Sequence, residues 1–120
     1  MSDPDCVFCK IVRGEIPSKK VYEDDEVLGF HDINPSAPVH FMLIPKRHIP
    51  SLMDARAEDA SVLGKILVIA AQIAREQGSP DGFRTIINTG RVGRQDVYHV
   101  HVHVIGGPDP LGRMMPTHAD

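Results

Sequence analysis

The chain has 120 residues, 42% of them hydrophobic, and a net charge of −3 with its histidines neutral. That length suits one domain with a real core, the hydrophobic fraction excludes wholesale disorder, and the lack of a positive excess excludes a general nucleic-acid binder. The N-terminus, Met-Ser-Asp-Pro-Asp, has neither the positive start nor the apolar stretch of a secretory signal. The longest apolar run, Ile66 to Ala71, is far below the ~20 residues that cross a bilayer. A soluble, cytoplasmic protein without membrane association is expected.

In chain order, Cys6 and Cys9 come first, as a Cys-x-x-Cys pair. In a reducing compartment this spacing points to a metal clip or a redox motif rather than a structural disulfide. Val7–Val12 reads as a short helix or turn closed by Gly14 and Pro17. Lys20–Glu23 and Val27–His31 are β-prone runs separated by Glu23-Asp24-Asp25-Glu26, a hairpin turn. A Pro-rich loop over 34–38 leads into the apolar strand His40–Pro45. Ser51–Met53 reads as a helical turn. Glu58–Gln77 is the long helix: Val62, Ile66, Ile69 and Ile73 recur at helical spacing, as do Leu63, Leu67, Ala70 and Ala74. Gly78 supplies its C-terminal stop. Phe83–Asn88 is a further strand, 88–96 a Gly- and Arg-containing loop, and Val97–Ile105 the last strand, ended by Gly106-Gly107-Pro108. Strands crossed by one long helix, with no βαβ repeat, predict an α+β domain: an antiparallel β-meander of about five strands, one long helix and a short N-terminal helix. A single domain spans 1–120, with 1–5 and 108–120 as loop or tail.

The segment His99-Val100-His101-Val102-His103-Val104-Ile105 carries the chemistry. On a strand, alternate side chains share a face at roughly 6.6 Å spacing, so the three imidazoles line one side and the valines the other. A strand gains nothing from three rings in a row, since each buried imidazole without a partner costs about 1–3 kcal/mol. The pattern therefore points to a metal site or a catalytic face. With an ordinary pKa of about 6.5, imidazole is a competent nucleophile near neutrality. A partner on one ring nitrogen leaves the other free to attack, and His103 could hold a phosphate oxygen or the leaving group.

This segment is the signature of the histidine-triad proteins, and the chain resembles their Hint branch from about Cys6 to Gly107. The likeness extends to Phe30-His31-Asp32-Ile33, Ala37-Pro38-Val39-His40-Phe41, Ile44-Pro45-Lys46-Arg47-His48, Asn88-Thr89-Gly90 and Gln95-Asp96-Val97-Tyr98-His99. The Gly106-Gly107 after the triad is similar to Hint, not to the dinucleoside-polyphosphate hydrolases. The resemblance implies hydrolysis of purine nucleoside phosphoramidates and acyl-nucleotides through a covalent nucleotidyl-histidine, with no organic cofactor. By position it implies His101 as nucleophile, His103 on the phosphate and His40 supporting the triad. Asn88, Gln95 and Val97 would line the phosphate site, and Asp32 would accept from the ribose hydroxyls. Val7, Phe8, Ile11, Phe30, His31 and Ile33 would form the base pocket. Plainer readings exist for several of these: Phe8, Phe30 and Ile33 as core, Asp32 as a turn cap, Asn88 as a turn residue. Asp96 stands at the catalytic position that often carries Ser beside the leaving group, and an ionised Asp cannot donate a hydrogen bond.

Zinc-containing members of the family use a Cys-x-x-Cys, the His of the Pro-Lys-x-His segment and the first triad His. The resemblance therefore implies a structural zinc on Cys6, Cys9, His48 and His99. Four protein ligands leave no open coordination position. It also implies a homodimer, and the wide apolar surface of the long helix agrees. Rival readings are a purine-nucleotide-binding or partner-binding module without turnover, a dinucleoside polyphosphate hydrolase, and a metalloenzyme with zinc on the three triad histidines. Cys6 and Cys9, as softer ligands, count against the last.

Overall fold

A computed structural model of the chain describes residues 2–116; the expected tails therefore fall partly outside it, at residue 1 and residues 117–120. Helix α1 (Val7–Val12) opens the fold. Strands β1 (Lys20–Glu23), β2 (Val27–His31) and β3 (Val39–Pro45) follow. Helix α2 (Ala60–Gln77) then crosses to β4 (Arg84–Ile86) and β5 (Val102–Gly106). All strand pairs are antiparallel and the sheet order is β1-β2-β3-β5-β4. The first three strands form the expected meander; α2 carries the chain past β3 to the far edge, and β5 returns between β3 and β4. Among the described residues no helix is long and apolar enough to cross a membrane.

Local chemistry explains the joints. The Asp24 carboxylate accepts from the backbone N–H groups of Glu26 and Val27, each at 2.8 Å, which sets the β1–β2 turn. Ser51 caps a 3₁₀ turn over Leu52–Asp54 by accepting from the Met53 N–H. The long helix starts two residues later than its periodicity suggests. Asp59 bonds back to the Arg56 N–H at 2.9 Å and tightens Ala57–Asp59 into a 3₁₀ turn. Gly78, at φ 108°, ends the helix in the left-handed conformation as expected.

The sheet separates two apolar clusters. On one face Val27, Val39, Phe41, Leu43, Val102 and Val104 pack against Ile66, Ala70, Ile73 and Ala74 of α2. On the other, Leu28, Phe30, Met42 and Ile44 pack under Phe8 of α1. Strand alternation fixes what accompanies them. With Phe41 and Leu43 facing α2, His40 and Met42 face the α1 side, and the β3–β5 register sets His103 opposite Met42.

Two strand expectations need correction. β4 covers Arg84–Ile86, not 83–88, because its ladder with β5 runs only from Arg84↔Ile105 to Ile86↔His103. The last strand covers Val102–Gly106, not 97–105. Its β3 partner ends at Pro45, which has no N–H to offer. The Val100 N–H instead donates to the Ile49 carbonyl at 2.8 Å, and the His99 N–H to Val97 at 2.9 Å. His99 and His101 therefore sit on irregular backbone, and only His103 belongs to the ladder. Freed from the pleat, the rings of His99 and His101 are held individually rather than in an evenly spaced row with His103.

Candidate active site and metal cluster

Each triad imidazole has its own anchor, and the anchors decide which nitrogen carries the proton. His99 is fully buried and its Nε2 donates to the Pro45 carbonyl oxygen at 2.7 Å. Its Nδ1 lone pair then faces Cys6 Sγ at 3.4 Å, Cys9 Sγ at 3.5 Å and His48 Nδ1 at 3.3 Å. Burial pushes the His99 imidazole down to about 4, so it is neutral near pH 7. His101 donates from Nδ1 to the carbonyl oxygen of His99 at 2.8 Å. That bond leaves the Nε2 lone pair free and aimed away from the backbone. His99 thus serves twice: its ring faces the cysteines and its carbonyl orients His101.

His103 is fixed from the neighbouring strand. The Ser36 N–H donates to His40 Nδ1 at 2.9 Å, so His40 carries its proton on Nε2 and donates to His103 Nδ1, also at 2.9 Å. His103 then presents its own Nε2–H outward. Burial first, then the neighbouring His101 and His40, lowers the pKa of His103 and favours this neutral donor form. Asp32 fills the turn-cap role foreseen for it and also faces His40. One oxygen caps the following turn by accepting from the Asn34 N–H at 2.8 Å, and the other lies 3.3 Å from His40 Nε2.

A cavity of about 1000 Å³ opens between α1 and β2, with the triad rings outside its lining. Val7, Phe8, Ile11, Phe30, His31, Asp32 and Ile33, the whole expected base pocket and ribose acceptor, line it. Phe8 and Phe30 are buried core residues that also form its wall, meeting edge to face at 5.6 Å. Phe8 meets the His101 ring in the same way at 5.1 Å, which joins the cavity to that ring. Ile33 is 92% exposed, so it is a rim residue and not core. Met42 and the segment Ile16–Lys19 complete the wall. Met42 was legible in the alternation of β3, since it points to the same side as His40; nothing local in 16–19 signals a binding wall. A second concavity, about 370 Å³ beside Ser79 and Arg84, contains none of the histidines.

The loop before the triad divides the remaining expectations. Gln95 is buried, accepts from the Gly90 N–H, and donates to Pro50 and Val97 carbonyls. Both of its side-chain donors are committed, so it braces the loop and has none to offer a phosphate. Asn88 is half-buried just beyond β4. Asp96 is 77% exposed; its Oδ1 accepts from the Val97 N–H at 2.8 Å and stands 3.4 Å from His101 Nε2.

Potential metal ligands converge twice among the described residues. One group is Asp32, His40 and His103, where the 2.9 Å contact and the protonated His40 Nε2 make a hydrogen-bond relay. The other is Cys6, Cys9, His48 and His99, with their ligand atoms within 4.8 Å of one another. Cys6 and Cys9 come together because α1 begins between them: Cys6 is its N-cap, accepting from the Cys9 N–H. His48 follows β3 and reaches Cys9 Sγ at 3.3 Å. Burial raises the Cys9 thiol above its ordinary value. A cation between the two thiols would offset that penalty and favour the thiolates.

Comparison with known proteins agrees with this geometry. The family described as "Scavenger mRNA decapping enzyme C-term binding" matches residues 5–115. Protein HitA of Neisseria gonorrhoeae is 50% identical over 103 residues, 86% of this chain and 96% of its own. Purine nucleoside phosphoramidase of Escherichia coli is 49% identical over 110 residues, 91% of this chain and 92% of its own. Among solved structures, a histidine triad protein from Clostridium difficile superposes with a TM-score of 0.85 at 44% identity, covering 98% of this chain and 99% of that one. A zinc-bound histidine triad family protein from Mycobacterium smegmatis superposes with a TM-score of 0.75 at 38% identity, covering 86% and 75%. With its three histidines individually anchored and relatives this similar over nearly its full length, the chain belongs to the histidine-triad family.

Proposed function

We propose that the protein hydrolyses purine nucleoside phosphoramidates and related acyl-nucleotides, using His101 as a covalent nucleophile. The observation that carries this reading is the hydrogen bond from His101 Nδ1 to the His99 carbonyl, which leaves Nε2 as the unprotonated nitrogen of a ring packed on Phe8, a wall residue of the cavity. The purine stacks between Phe8 and the Ile33 rim, and Asp32 Oδ2, which also lies 3.3 Å from His40 Nε2, accepts from the ribose. His103 Nε2–H and the Val97 N–H donate to the α-phosphate. His101 Nε2 then bonds to phosphorus as the phosphorus–nitrogen bond breaks, and the departing amine takes a proton from water at the open mouth. A water attacks the nucleotidyl-histidine in turn, releasing the nucleoside monophosphate and restoring His101. The phosphoramidase relative supports the substrate class. Incubation with adenosine phosphoramidate should yield AMP at catalytic rates; no AMP after prolonged incubation with folded protein would leave a binding module instead.

The Cys6-Cys9-His48-His99 cluster is proposed to hold one structural zinc. A tetrahedral zinc with Zn–S near 2.3 Å and Zn–N near 2.0–2.1 Å requires sulfur–nitrogen and nitrogen–nitrogen edges of about 3.3–3.6 Å. Four of these five edges run from 3.3 to 3.5 Å, and the proton on His99 Nε2 leaves Nδ1 as the ligand. All four positions come from the protein, so the ion would cross-link α1 to the triad segment without touching substrate. A zinc on the three triad histidines fits poorly, because His99 Nδ1 faces the cysteines while His101 Nδ1 is bonded to backbone.

The same reading includes a C₂ homodimer. Leu67 and Val68 of α2 are 49% and 77% exposed, an apolar surface that the sheet leaves uncovered. Sedimentation at micromolar concentration should show twice the chain mass; a single species at 13.2 kDa would refute the dimer.

A further inference from the structure

Asp96 occupies the two contacts that the proposed function assigns to the phosphate. Its Oδ1 accepts from the Val97 N–H at 2.8 Å and lies 3.4 Å from His101 Nε2. Those are a donor and the attacking atom of the proposed phosphate site. The side chain is otherwise 77% exposed, so it can rotate into solvent with little loss of packing. A carboxylate and a phosphate oxygen are both acceptors and both anionic. They cannot share one N–H, and close like charges oppose each other.

We propose that Asp96 is a charge filter on the phosphate site. In the free protein its carboxylate acts as an internal stand-in for the α-phosphate. An incoming nucleotide must displace it and then bind beside it, so the site disfavours a second negative charge on phosphorus. This rests on the phosphoramidate reading and sharpens its substrate class. The favoured ligands are α-phosphates with a single negative charge, whose remaining substituent is neutral or cationic, as in an amine-linked phosphoramidate. The product is different, because a phosphate monoester loses its second proton near pH 6 and is mostly doubly charged above that. Asp96 therefore separates substrate from product by one charge and promotes product release.

The test is calorimetric binding at pH 8 of three ligands: AMP, its 5′-phosphate methyl ester with one fixed negative charge, and adenosine. The proteins are wild type, Asp96→Asn and Asp96→Ala. Asparagine keeps an oxygen that can accept from the Val97 N–H, and alanine removes any new donor toward the phosphate. Both variants should tighten AMP by at least about tenfold and the methyl ester distinctly less, with adenosine unchanged. If the ratio of AMP to methyl-ester affinity stays within about twofold of wild type in both variants, the filter is overturned. Wild-type turnover of adenosine phosphoramidate separates the two readings. Turnover with an unmoved ratio defeats the filter alone; a shifted ratio without turnover keeps the filter on a nucleotide-binding site and defeats the hydrolase.

Discussion

His101→Ala is expected to lower turnover of adenosine phosphoramidate by at least about 10³-fold, on the scale seen when an enzyme loses its nucleophile. The reason is geometric. His101 holds the triad lone pair that neither the cysteine cluster nor a neighbouring histidine engages: His99 Nδ1 faces two sulfurs, and His103 Nδ1 accepts from His40 Nε2–H. No neighbouring group can replace it, since Asp96 is an anion beside an anionic substrate. His101 is 2% exposed and packs on Phe8 and His103, so truncation opens a small void, and folding must be checked by circular dichroism. Nucleotide binding should largely survive, because the cavity wall, the His103 donor and the Val97 N–H remain. Acid-quenched wild type should carry the added mass of one nucleotidyl group, and the variant none. Activity within about tenfold of wild type would mean a barrier change of only about 1.4 kcal/mol and would remove His101 from the nucleophile's role.

The triad's identity was legible in sequence while its backbone was not. Alternating His and Val implied a continuous strand, and Val102 and Val104 do face α2. The strand nevertheless begins only at Val102, because Pro45 ends the partner ladder and Ile49 takes the Val100 N–H. That competition lies between segments some fifty residues apart, beyond the reach of local pattern. The consequence is chemical: irregular backbone lets the His99 carbonyl fold back onto His101 Nδ1, a contact between residues two apart that a regular strand would not make. The residues expected to form the base pocket do line one cavity, because most of them lie on α1 and β2, whose boundaries match expectation. Gln95 is a related case. The resemblance assigns it to a phosphate site, and only the fold reveals that Pro50, Gly90 and Val97 take its side-chain hydrogen bonds.

Cys9→Ser should have the largest effect on stability. Purified wild type is expected to contain about one zinc per chain, with X-ray absorption giving Zn–S near 2.3 Å and Zn–N near 2.0–2.1 Å. Cys9 is fully buried, 3.3 Å from His48 Nδ1 and 3.5 Å from His99 Nδ1, at the centre of the four-residue cluster. Its replacement would cost a soft ligand and leave a poorly matched hydroxyl among two imidazoles and a thiol. Structural zinc contributes its binding energy directly to folding. Here the fold also rests on two apolar clusters, so partial retention of structure is expected, not collapse. Loss of about 3 kcal/mol would lower Tm by roughly 10 °C for a domain of this size. The elements most affected are α1 and the segment before β5, the two that the cluster ties together. Because His99 keeps its bond to Pro45 and its carbonyl stays on His101, the chemical step should survive at temperatures where the variant is folded. Wild type treated with a chelator should melt like the variant, and added zinc should restore only the wild type. A zinc-free wild type whose Tm is unmoved by either metal or chelator would end the structural role, and a variant that is folded, cool and inactive would show that the cluster acts on the chemistry instead.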